Sequence, residues 1–212
     1  EKSSKKQQNL NMYQAKIKNT GGVGQKIDPA FGPILSVGIT WELFGSADVD
    51  IDGTIVMLDD CGATIDAVFY NKLRSDDKSN KRGDNKNKTD KGYNEVITID
   101  LSKLNYAVSY LVVLVNSYNG ASFKKVESAT CSIVQGETKI CDDVYLGASG
   151  DSNAVLAGIF FRQNPLWSYV NIMATGPGKD FQESRKLILK NLPKAGFDAV
   201  LLKESKNWTT GK

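Results

Sequence analysis

The chain has 212 residues, 41% of them hydrophobic, and a formal net charge of +3; that suits one large domain with a sizeable core. It contains no histidine, which removes the commonest zinc ligand, the usual general base and every Ser-His-Asp or Cys-His catalytic arrangement. Its three cysteines (Cys61, Cys131, Cys141) are widely spaced with no Cys-x-x-Cys, and no apolar run approaches 18 residues, so neither a cysteine-zinc site nor a membrane-spanning helix is expected.

Residues 1–11 are polar and lysine-rich and read as a flexible basic tail. The first residues carry no apolar h-region, and the chain opens on Glu1 rather than Met, so no signal peptide is visible and the compartment stays open on these grounds. From Ile34 the pattern is β throughout. Ile34–Trp41, Val49–Leu58 and Ile65–Tyr70 are rich in β-branched residues, and the second alternates as V-D-I-D-G-T-I-V-M-L. Ser75–Lys91 interrupts the series with a long run of Ser, Asp, Asn and Lys, a loop of a length that is functional or disordered more often than not. Glu95–Leu101, Ser109–Asn116, Ala129–Val134, Lys139–Leu146, Val155–Arg162 and Trp167–Ala174 complete about nine short strands. Gln135-Gly136-Glu137-Thr138 reads as a hairpin turn and Asn119-Gly120 as another. Cys131 and Cys141 flank that hairpin, where a disulfide and two buried thiols are both compatible with the spacing. From Lys179 the period changes, and Phe181, Arg185–Leu189 and Leu192 fit an amphipathic helix that stops before Pro193. Phe197–Leu202 could add a last short strand. The fold expected is mainly all-β, a two-sheet β-sandwich over residues 12–180, with a C-terminal helical extension over 181–212.

Charge is distributed unevenly along this framework. Residues 1–26 carry six lysines against Glu1, whereas residues 27–71 hold eight carboxylates (Asp28, Glu42, Asp48, Asp50, Asp52, Asp59, Asp60, Asp66) and no Lys or Arg. Alternate residues of a strand share a face, so Asp48, Asp50 and Asp52 are expected to project together while Val49 and Ile51 face the core. Carboxylates so close repel one another unless a cation joins them. Calcium suits them because it takes six to eight oxygen ligands in flexible geometry. The loop that follows offers more oxygens: Asp76, Asp77, Asp84, Asn85, Asp90, Asn94 and Glu95. An EF-hand is excluded, since no Glu stands at the twelfth position after Asp50 and the flanks are strands. The lysines of 78–91 lack interleaved aromatics, so no nucleic-acid partner is expected.

The chain resembles the tellurium-resistance TerD family. The resemblance rests on Asp50-Ile51-Asp52, then Val68-Phe69-Tyr70-Asn71, then Gly83-Asp84-Asn85, then Asn94-Glu95-Val96-Ile97, and continues through Tyr118, Phe123-Lys124-Lys125-Val126, Ala157-Gly158, Phe161-Arg162 and Trp167. It covers roughly residues 34–178 and implies a calcium-binding β-sandwich, not an enzyme, that acts in tellurite and wider chemical stress as a binding or scaffold module. It also implies protein partners in a stress-response complex and a cytoplasmic location, in association with a membrane surface. The metal ligands expected are Asp50, Asp52, Asn71, Asp84, Asn85, Asn94 and Glu95, with Asp48 and Asp90 as additional candidates. Where the family carries an acidic pair before the strand, this chain has Asn94-Glu95, and the preceding run adds Lys86, Lys88 and Lys91. One of two possible calcium sites is therefore expected to be weakened or lost. Two other functions fit the same residues: a calcium-dependent lipid- or carbohydrate-binding sandwich, and a hydrolase that uses paired carboxylates.

Overall fold

The computed structural model describes residues 24–84, 92–163 and 165–198. The alternating apolar runs pair into two antiparallel sheets of six strands each. The first contains, in spatial order, β1 (Gln25–Lys26), β12 (Leu166–Gly176), β11 (Ala154–Gln163), β7 (Tyr110–Ser117), β3 (Ile51–Leu58) and β4 (Thr64–Val68). The second contains β10 (Val144–Tyr145), β8 (Val126–Gln135), β2 (Ile34–Leu43), β6 (Glu95–Asp100) and β5 (Asn80–Asp84), with β9 (Thr138–Lys139) closing a hairpin onto β8. Inward-facing residues of both sheets, among them Leu35, Val37, Ile39, Ile55, Met57, Ile97, Ile99 and Phe160, form the core between them.

The first sheet is covered on its other face as well. Helix α1 (Arg185–Asn191) and a following 3₁₀ turn (Leu192–Ala195) lay Ile188, Leu192, Ala195 and then Phe197 against Val56, Leu58, Val112 and Leu114. This second core explains why all eight residues of β3 are buried: a strand covered on both faces reads as a continuous apolar run. The result is the two-sheet β-sandwich with a short C-terminal helix that the sequence predicts.

Four details depart from the sequence reading. The strand expected from Val49 starts at Ile51, and Asp48 and Asp50 precede it, exposed. The Lys139–Leu146 run divides into β9, β10 and a 3₁₀ turn over Leu146–Ser149. Helix α1 stops at Asn191, before Pro193 as expected, but a 3₁₀ turn that the sequence reading lacked follows it, with Pro193 near its start, where the missing N–H costs nothing, and Gly196 closing it at φ +80°. Finally, β5 lies inside the stretch read as one long loop. Asn80 and Arg82 share one face of β5, and both are buried; charged composition concealed a strand that pairs with β6 from Asn80↔Ile99 to Asp84↔Glu95. In the segment before β5, Asp77 accepts from Ser75 Oγ (2.7 Å), from the Ser79 amide (2.9 Å) and from the Asn105 amide (3.0 Å). The tail 1–11, Asn85, Asp90 and most of the expected last strand lie outside the described residues.

Candidate cation-holding site

The first sheet is incomplete at one end. Strand β4 pairs with β3 only from Ile55 to Leu58, so among the described residues the β3 edge at Asp52–Gly53 has no strand beside it. There the side chains of the second sheet take over. Glu95, fully buried at the start of β6, accepts the Gly53 amide through both carboxylate oxygens (3.2 and 3.1 Å). Gly53 has no side chain to obstruct this approach: a Cβ there would stand 2.5 Å from Ile39 Cδ1 and 3.1 Å from Glu95 Oε1.

Arg82 completes the arrangement. From β5 its guanidinium reaches across the bare edge of β3, with Nε donating to Glu95 and Nη2 to Asp52. By strand alternation Asp52 faces away from the inter-sheet core, while Glu95 lies on the core side, so one cation joins carboxylates from the two sides of a sheet edge. All three are nearly out of solvent: Arg82 is 5% exposed, Asp52 8% and Glu95 0%. Burial pushes the Glu95 carboxyl up to about 7, against the pull of the Arg82 guanidinium and the Gly53 amide. Two carboxylates and one guanidinium at this depth hold together only because hydrogen bonds satisfy their polar atoms.

Outside this triad lies an acidic rim. Asp48 and Asp50 are exposed and fixed through their backbone, whose carbonyls accept from Asn119 Nδ2 (3.1 Å) and the Tyr118 amide (2.8 Å) respectively. Tyr118 and Tyr70 stand beside each other with ring centroids 4.5 Å apart. A separate group, Asp59, Asp60 and Cys61, brings ligand-type atoms within 4.8 Å of one another in the β3–β4 turn. Asp59 there accepts the Cys61 and Ala63 amides (2.9 and 2.7 Å), so it organises the turn.

Comparison with known proteins decides the family. The TerD domain family model matches residues 26–183. The chain belongs to the TerD family. It is 34% identical over 139 residues to the tellurium resistance protein TerZ of Serratia marcescens, a match that spans 65% of this chain and 72% of that protein. Two solved structures share the fold: SAV2460, described as a protein of unknown function (TM-score 0.62, 18% identity, 71% of this chain and 93% of that one), and SCO6318 of Streptomyces coelicolor A3(2), described as a homologue of a telluride resistance protein (TM-score 0.61, 15% identity, 71% and 94%).

Within this TerD domain the residues expected to hold calcium occupy different environments. Asp52 and Glu95 come together, around Arg82. The backbone of Asp84 pairs with Glu95 at the end of β5. Asn94 does not face them as a ligand: its Oδ1 accepts the Trp41 amide (3.0 Å), which ties the entry of β6 to β2. Asn71 is exposed in the tight turn between Phe69 and Lys72, a position that asks for a turn-forming residue. The oxygens of Asp52 and Glu95 thus already face a fixed positive charge, whereas Asp48 and Asp50 are exposed. Arg82 itself is missed by a reading that looks for oxygen donors. The signal that could have found it is the alternation Asn80-x-Arg82-x-Asp84, a period-two pattern inside an apparent loop.

Each of the three thiols is raised by its environment. Cys131 is buried on β8 and burial pushes its thiol far up. Cys141, also a free thiol, is pushed up to about 12 by burial. Cys61, although exposed, is raised by its contact with Asp60.

Proposed function

We propose that this chain is a non-catalytic binding module of the tellurium-resistance response that takes calcium at the outer acidic rim and acts with protein partners of a stress-response complex, in the cytoplasm at a membrane surface. The observation that carries the reading is the rim itself in a TerD domain: Asp48 and Asp50 are exposed, held by backbone hydrogen bonds, and take part in none of the ion pairs found among the described residues. Oxygen-only donors on a shaped backbone suit calcium better than magnesium, which demands a strict octahedron.

Three features support a non-catalytic role. The chain has no histidine. Each of its three thiols is raised above the ordinary cysteine value, which disfavours the nucleophilic thiolate. Among the described residues the two buried carboxylates, Asp52 and Glu95, both pair with Arg82, which leaves no free acid–base couple at that position. A cleft of about 280 Å³ lies near the opposite end of β12, lined by Ile27, Pro29, Leu101 and Trp167. Its one charged side chain, Arg162, stacks over Trp167 and donates to the Val108 carbonyl (3.0 Å).

The test is calorimetric titration of the metal-stripped full chain with calcium, for the wild type and for the double variant Asp48→Asn/Asp50→Asn. Saturable binding weakened at least tenfold in the variant is expected. Absence of binding by the wild type at millimolar calcium, or equal binding by both proteins, rejects the calcium part. A tellurite challenge of cells that carry or lack the chain tests the biological part, with better survival expected where it is present.

A further inference from the structure

The sign of the charge at the inner position has a consequence for metal dependence. A family resemblance that lists Asp52 and Glu95 as metal ligands requires a divalent cation between them. Here a side chain of the protein stands there instead. Arg82 is anchored on β5 by the β6 ladder on one side and by its own amide, which donates to the Leu73 carbonyl (2.9 Å), on the other. Its guanidinium is permanently charged, planar and able to donate in two directions at once. One nitrogen serves Glu95 on the core side of β3 and another serves Asp52 beyond the strand edge. The same Glu95 caps the Gly53 amide left bare where β4 ends.

We propose that Arg82 is a built-in cation that replaces a metal ion at the inner acidic position, so that this TerD domain keeps its two sheets joined there without calcium and is closed to calcium at Asp52 and Glu95. A divalent ion placed between those carboxylates would meet the guanidinium at contact distance, and displacing the arginine would part a buried positive charge from both carboxylates. Both costs oppose exchange. The proposal deepens the calcium reading above by dividing the acidic end into an outer position open to metal and an inner one that is not.

The two ideas fail separately in one set of measurements on the full chain. Calcium affinity is measured by calorimetry for the wild type, Asp52→Asn and Glu95→Gln, and melting temperature is measured in chelator for the wild type, Arg82→Lys and Arg82→Met. The proposal expects calcium affinity within about threefold of wild type in Asp52→Asn and Glu95→Gln. It expects Arg82→Met to melt about 10 °C lower in chelator because two buried carboxylates lose their cation, with Arg82→Lys, which keeps the charge but not the fork, in between. Millimolar calcium should restore part of the loss in Arg82→Met and leave the wild type's inner position unchanged. A tenfold or larger drop in calcium affinity in folded Asp52→Asn or Glu95→Gln overturns it, because those carboxylates would then be ligands. So does an Arg82→Met protein that melts with the wild type in chelator. If Arg82→Met does not fold at all, Arg82→Lys carries the comparison, and an unchanged melting temperature there overturns it equally. If the wild type binds no calcium, the rim reading falls while the chelator measurements still decide this one.

Discussion

At Gly53 the lack of a side chain lets Glu95 of the other sheet reach the backbone amide. Gly53→Ala should destabilise the protein by about 1–3 kcal/mol, the range for forcing extra volume into a packed site, because its Cβ would press on Ile39 and on the Glu95 oxygen that accepts the local amide. Urea denaturation of the two proteins checks this, and a variant of wild-type stability would mean the sheets part easily there. Glu95 makes a different prediction. Its carboxyl is raised from an ordinary value of 4.5 to about 7, first by burial, so the folded protein binds the proton more tightly than the unfolded chain. The sign follows: this group's contribution is fully favourable below about pH 4.5 and is lost as the pH rises through about 7, an effect on the order of 3 kcal/mol at most. Denaturation at pH 5 and pH 8 should therefore show the wild type losing stability relative to Glu95→Gln as the pH rises; a gain would show that Arg82 outweighs burial. The sequence makes the acidic partners legible, since eight carboxylates without an intervening cation stand out over residues 27–71. It does not make their cation legible, because Arg82 is 30 residues from Asp52 and only strand pairing brings it there.

The elements were legible wherever burial imposes a period. Strands β2, β3, β7, β11 and β12 fall within a few residues of the alternating or continuous apolar runs that predict them, and Gly136 turns the β8–β9 hairpin at φ +60° as its sequence asks. What escaped was set by neighbours. The two residues of β1 carry no pattern of their own and exist as a strand because β12 offers an edge, with Gln25↔Tyr169 and Lys26↔Ser168. Strand β5 is charged along its length and is held by β6 and the Leu73 carbonyl; edges tolerate such composition. Helix α1 has only seven residues, too few to persist alone in water, so its stability comes from the sheet beneath it. Leu192, fully buried where the 3₁₀ turn meets that sheet, should cost about 2–5 kcal/mol when changed to alanine. The far-UV spectrum of Leu192→Ala should keep its β signature while the melting temperature falls; an unchanged melting temperature would mean the helix is not docked in solution.

Across the whole molecule, stability should be graded by how many faces of a strand are covered. Strands β3 and β7 lie at the overlap of the two cores, with Ile55, Met57, Leu111 and Val113 in one and Val56, Leu58, Val112 and Leu114 in the other. Their amides should exchange most slowly, and those of β4, β5 and β10 at the sheet margins faster; uniform protection would contradict a double-sided core. The pairing of β1 with β12 carries a last consequence, which concerns the order of assembly on the ribosome. Gln25 is made early and its partner Tyr169 about two-thirds of the chain later, and β2 likewise waits for β8. Before residue 126 emerges, only β3 with β4 and then β5 with β6, among the described strands, find partners close in the chain, while β2 has β6 on one side and bare backbone on the other. Vectorial synthesis therefore leaves an apolar strand edge open until residues 126–135 have emerged, and leaves the first strand unsecured until residues 166–176 follow. A chain stalled between those points would carry a half-built second sheet, and such open edges are where nascent β-proteins aggregate or recruit chaperones.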